Sequence, residues 1–139
     1  MEEVRLEWRG PYRLEHVSER EASWEHSIYA ISRRWRWSES LLYIGQSYFQ
    51  CMSDRIWCDE NKWIYQYTGE ILIRFSKIVL DEGYKHSQQL TNDIEEILIY
   101  SEQPIHNIQH KESYRGRPLQ MWNEGQRGVL DEYICSYNF

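Results

Sequence analysis

Apolar and polar residues alternate in Val4-Arg-Leu-Glu-Trp8, the period of a strand with one buried face. Gly10-Pro11 interrupts the run, and Tyr12-Arg-Leu-Glu-His-Val17 resumes it as a second short strand. Ser27-Ile-Tyr-Ala-Ile31 and Leu41-Leu-Tyr-Ile-Gly45 are compact β-prone runs joined by a charged, aromatic stretch over 32–40. The two predict an antiparallel hairpin with an extended loop. Phe49, Met52 and Ile56 recur at helical spacing, which predicts a helix over about 49–59. Glu70-Ile-Leu-Ile-Arg-Phe-Ser-Lys-Ile-Val-Leu80 is rich in β-branched residues and reads as a strand, turned by Asp81-Glu-Gly83. Leu90, Ile94, Ile97 and Leu98 form a second helical stripe, with Ser87 as N-cap and Pro104 beyond its end. The tail, roughly 119–123 and 127–137, adds one or two further strands.

Strands and helices are therefore mixed without strict strand–helix–strand alternation. That order favours an α+β fold: a small antiparallel β-sheet flanked by helices, with extra N- and C-terminal strands. No linker or repeat divides the sequence, so residues 1–139 read as a single domain with its core over about 27–107.

The formal charge of −6 argues against a protein that coats nucleic acid by bulk electrostatics, but not against one whose positive charge is local. Arg33, Arg34 and Arg36 alternate with Trp35 and Trp37, a combination able to meet phosphates and stack on bases, or simply to form a solvated loop with aromatic anchors. Cys51, Cys58 and Cys135 are odd in number and follow no zinc spacing, which predicts reduced thiols. No apolar run reaches membrane-spanning length and no signal peptide is visible, so the expectation is a soluble, cytoplasmic protein without a membrane partner.

Two strand motifs carry the chemistry: Ser27-Ile28-Tyr29 and Tyr43-Ile44-Gly45. The second is followed by Gln46, then by Arg55 on the expected helix; Glu95 lies on the later helix, and Gln103-Pro-Ile-His-Asn107 closes the series. This ordered set resembles the GIY-YIG nuclease superfamily over about 80 of the 139 residues. Ser27 stands where the family carries glycine, and Arg55 lies ten residues after Gly45, farther than in many members. The resemblance implies a phosphodiesterase site built from Tyr29, Tyr43, Arg55, Glu95 and Asn107. A tyrosine would position or deprotonate the attacking water, Arg55 would contact the scissile phosphate, and Asn107 would brace the site. Glu95 would bind one divalent cation, Mg²⁺ or Mn²⁺.

Those residue types suit the reaction. Phosphodiester oxygens repel nucleophiles, so cleavage requires charge neutralisation and positioning. A cation held by one carboxylate keeps several waters, as Mg²⁺ prefers, and arginine offers a planar, permanently charged donor. A tyrosine with an ordinary pKa near 10 needs positive surroundings to act as a base. Taken singly, each residue has a plainer reading: strand tyrosines pack, Arg55 pairs on the surface, Glu95 faces solvent, and Asn107 caps a turn. His106 and His110 read as polar loop residues. The expected partner is DNA, contacted by Arg33, Arg34, Arg36 and Gln46, with specificity from a homodimer or a second protein. The alternative is a catalytically inactive GIY-YIG-type module that binds nucleic acid or protein.

Overall fold

In this computed structural model the described residues are 2–14, 28–46, 64, 66–81 and 83–139. They form six strands and one α-helix: β1 (Glu2–Arg13), β2 (Ile28–Trp35), β3 (Ser38–Gln46), β4 (Glu70–Val79), α1 (Gln88–Glu102), β5 (Leu119–Gly125) and β6 (Tyr133–Cys135). The strands make one sheet in the order β3-β2-β4-β1-β5-β6. All neighbours are antiparallel except β1 and β5, which run parallel. Among the described residues no helix is long and apolar enough to cross a membrane.

This architecture overturns the expected small antiparallel sheet flanked by helices. The sheet is six-stranded, mixed and curled into a half-barrel. The physical reason lies in β1. Gly10-Pro11 does not split it into two short strands; it is absorbed as an irregularity of register between Arg9 and Tyr12. A continuous twelve-residue strand results, and its two free edges are taken by β4 and β5. The N-terminal segment is thus the centre of the sheet, not an appendage. The helix expected over 49–59 lies outside the described residues, as do Ser27, Arg55, Cys51 and Cys58.

Strand alternation sorts the interior into two layers. Val4, Leu6, Trp8, Ile28, Ala30, Ile44, Ile78, Leu119 and Met121 face α1 and pack on its buried stripe of Leu90, Ile94, Ile97 and Leu98. Ile31, Ile73, Phe75 and Tyr29, with Tyr43 and Tyr12 partly buried beside them, form a separate cluster on the other face. Each fully buried Ile or Leu contributes about 1.5–3 kcal/mol relative to exposure, so α1 is fixed mainly by its apolar stripe. Its start is set locally: Ser87 Oγ accepts the Leu90 N–H at 3.1 Å. On the helix side Arg74 is buried and donates through both terminal nitrogens to Glu39, at 2.8 and 3.2 Å, linking β4 to β3 across β2.

At the C-terminal turn of α1, Glu102 Oε1 accepts the Asp131 N–H at 2.9 Å. Burial pushes this carboxyl up to about 7, against that hydrogen bond, which lowers it, and with the Asp131 charge, which raises it. The folded state therefore favours the protonated acid. Its stabilisation is complete below the unfolded value of about 4.3 and is lost as pH rises from there through 7. Discounted for partial solvent exposure, the loss amounts to about 1–2 kcal/mol. The stability of Glu102→Gln relative to the parent should therefore rise across that window in urea titrations. A difference that stays constant from pH 4.5 to 7.5 would contradict the assignment.

Candidate functional site

The β2–β3 hairpin brings the two tyrosines side by side. Ile31 opposes Tyr43 and Tyr29 opposes Gly45, so strand alternation places both phenols on the face away from α1. Their ring centroids lie 6.1 Å apart, tilted by 35°. Tyr29 is wholly buried. Its phenol tip fills the space over Gly45: a Cβ at position 45 would fall 2.5 Å from both Tyr29 Cζ and Tyr29 Oη. The glycine of Tyr43-Ile-Gly45 is thus required by the tyrosine of the other motif.

β3 is the outermost strand at its end of the sheet, and its open side is met by the segment after α1. Gln103 takes a left-handed conformation, φ 51°, at the helix C-cap. Pro104 follows, and the chain turns back along β3. The Ile105 and His106 N–H groups donate to the Leu41 and Leu42 carbonyls at 3.3 and 2.8 Å. Asn107 then completes the pairing with its side chain: Oδ1 accepts the Ile44 N–H and Nδ2 donates to the Ile44 carbonyl, both at 2.9 Å. Asn107 thereby clamps the middle of Tyr43-Ile44-Gly45.

Between this segment, β3 and α1 opens a cavity of about 590 Å³ lined by Tyr43, Glu95, Ile99, His106, Asn107 and His110 among others. Of the predicted set, the fold brings Tyr43, Glu95 and Asn107 to this cavity, with Tyr29 packed behind Tyr43. Arg55 lies outside the described residues. Gln46 is engaged by the helix: its Nε2 donates to Asn92 Oδ1 at 2.7 Å and its Oε1 accepts from Gln88 at 3.1 Å.

Three residues that sequence reasoning did not select join the site: His106 and His110 in the lining, and Tyr67 beside His106. His106 lines the cavity, and its Nε2 hydrogen-bonds the Tyr67 hydroxyl while the two rings meet edge to face at 5.5 Å. Burial, and then the Lys111 charge, push His106 below its ordinary value. The ring is therefore neutral at pH 7. His110 Nδ1 pairs with Glu96 at 2.8 Å. The only available signal was position: His106 directly precedes Asn107, and so had to lie along β3. Tyr67 offered none.

The donor set among the described residues offers a divalent cation a single carboxylate. Glu95 supplies a carboxylate at the cavity wall with Oε2 buried, and a cavity of this size leaves space for water. Among the described residues there is no cluster of three or more His, Cys, Asp or Glu, so any such ion would keep mostly water ligands. Asn107 is not a candidate ligand, because its amide is spent on Ile44.

The predicted arginines lie at the far end of the hairpin. Arg33 Nε donates to the Thr68 carbonyl at 2.6 Å and its Nη2 to Thr68 Oγ1 at 3.0 Å. Arg34 pairs with Glu70 at 2.6 Å and holds that carboxyl below its usual range, with Arg13 adding to the effect. Arg36 occupies the turn with φ 58°. Compared with protein-family models, curated proteins and solved structures, the chain matches none.

Proposed function

We propose that this protein is a divalent-metal-dependent endonuclease that hydrolyses phosphodiester bonds in DNA, using GIY-YIG-type residues in the cavity between β3 and α1. The observation that carries the reading is that Tyr43 and Glu95 both line one cavity, although they come from an edge strand and a helix far apart in sequence.

In this reading Glu95 holds a Mg²⁺ or Mn²⁺ ion, which when bound neutralises charge on the phosphate and the departing oxygen. Tyr43, as a phenolate favoured by the positive charge of the cation and Arg55, would orient the attacking water and take up its proton, becoming the neutral phenol. Tyr29, enclosed behind it, is a positioning residue that acts through the Tyr43 ring. Asn107 fixes the strand that carries Tyr43, and Arg55 contacts the phosphate. His106, neutral and held against Tyr67, stands at the cavity rim beside Asn107. The protein works in the cytoplasm, as a homodimer or with a partner that supplies specificity.

Incubation with supercoiled plasmid and Mg²⁺ or Mn²⁺ should yield nicked and linear products. Glu95→Ala should lower that rate by about a hundredfold or more, the scale of losing preorganised charge stabilisation. Cleavage by Glu95→Ala at the parent rate refutes the reading. The −6 charge favours a second reading, an inactive module that binds nucleic acid or protein. It predicts binding without turnover under every metal tried.

A further inference from the structure

We propose that the β2–β3 hairpin tip is a base-stacking platform, so that the DNA acted on carries an unpaired, single-stranded stretch beside the cleaved bond. The inference rests on the nuclease reading for its substrate, but on separate residues for its evidence.

Strand alternation divides the Arg–Trp run between two faces. Arg33 and Trp35 lie on the face that carries Tyr29, Ile31 and Tyr43, whereas Arg34 points to the helix side, where Glu70 neutralises it. The Arg33 guanidinium sits 5.6 Å from the Trp35 ring and 5.5 Å from the Tyr67 ring, and Arg36 lies 5.8 Å from the Trp35 ring on account of its left-handed turn. Among the described residues no carboxylate pairs with Arg33 or Arg36. Beside them Trp35 is 46% exposed and Trp37 fully exposed.

The platform is joined to the cavity by contact. His106 at the cavity wall bonds Tyr67, Tyr67 lies against Arg33, and Arg33 and Arg36 lie against Trp35. Along β3 the step from Trp37 to Tyr43 spans roughly 20 Å. A ligand following this track meets cations and flat apolar rings in alternation. Phosphates and exposed bases match that pattern, and stacking needs bases freed from a duplex. A stacked duplex would meet the arginines but leave Trp37 in water.

The test uses fluorescence anisotropy with EDTA present, on a labelled oligothymidylate and a duplex of equal length, so that no cleavage intervenes. Trp37→Ala should weaken oligothymidylate binding about tenfold and duplex binding less than twofold. Arg36→Gln should reduce the slope of log K against log salt by about 0.7 on the single strand, whereas Arg34→Gln should leave it unchanged. Trp37 is solvent-exposed, so its variant should melt with the parent. No oligothymidylate binding by the parent, full binding by Trp37→Ala, or equal losses on both ligands overturns the proposal. Glu95-dependent cleavage with an inert Trp37 removes only the platform. A Trp37 effect on binding without cleavage by the parent removes only the nuclease reading.

Discussion

Gly45→Ala should destabilise the protein by about 3 kcal/mol, at the upper end of the cost of overpacking a core. The backbone at Gly45 is not left-handed, so alanine meets no torsional penalty there. The whole cost is steric. The new methyl would sit 2.5 Å from two atoms of the Tyr29 phenol, closer than real contacts allow. Tyr29 has no easy retreat: it is fully buried and packed with Ile31, Ile73 and Phe75. Relief must come from moving the ring toward Tyr43, whose centroid is 6.1 Å away, so cleavage should fall along with stability. Urea unfolding of Gly45→Ala, Tyr29→Leu and the double variant isolates the clash. Tyr29→Leu opens a void and costs about 3 kcal/mol by itself. The double variant should be more stable than the sum of the two losses by about 2 kcal/mol, because the leucine leaves room for the methyl. Additive losses would mean that the phenol tip and residue 45 do not compete for space.

That dependence also indicates what could be read from the chain and what could not. Features fixed by local chemistry were legible. The β-branched run at 70–80 became β4, and Ser87 caps α1. The tail supplies β5 and β6. The place of β1 was not legible, because it is decided by pairing across more than a hundred residues. Val4 opposes Met121, and the buried Trp8 Nε1–H donates to Asn123 Oδ1 at 2.8 Å. Nothing in the period-two pattern of Val4–Trp8 says whether the strand lies at an edge or in the middle, or that its neighbour runs parallel. The predicted helix-flanked sheet failed on that point. The same division holds at the site. Tyr43, Glu95 and Asn107 were selected by motif order and share the cavity. Tyr67 reaches it through a loop contact with His106, which no local spacing encodes. Arg34 was grouped with its neighbours by charge, yet strand alternation turns it to the opposite face and onto Glu70.

Asn107→Asp should cost about 3–5 kcal/mol, the range for leaving an uncompensated charge in the interior, although the two side chains have nearly the same shape. The amide works because it offers one acceptor and one donor in the geometry of a paired strand: Oδ1 takes the Ile44 N–H and Nδ2 gives to the Ile44 carbonyl. A carboxylate keeps the first bond and replaces the second by repulsion between two acceptors 2.9 Å apart, at a position only 8% exposed. Protonation restores a donor, so the defect should shrink as pH falls. The folded carboxyl is then raised above its ordinary value of about 3.9, and the penalty grows as pH rises through that ordinary value. Asn107→Ala lacks the charge; it leaves the Ile44 groups unbonded at about 2–3 kcal/mol, with no dependence on pH. Urea titrations of both variants at pH 4 and pH 7 separate these costs. Equal losses at the two pH values for Asn107→Asp would mean that the side chain does not clamp Ile44. Because the clamp holds the backbone between Tyr43 and Gly45, the proposed cleavage should weaken in both variants under conditions where they are still folded. That expectation separates a strand-positioning role from one of stability alone.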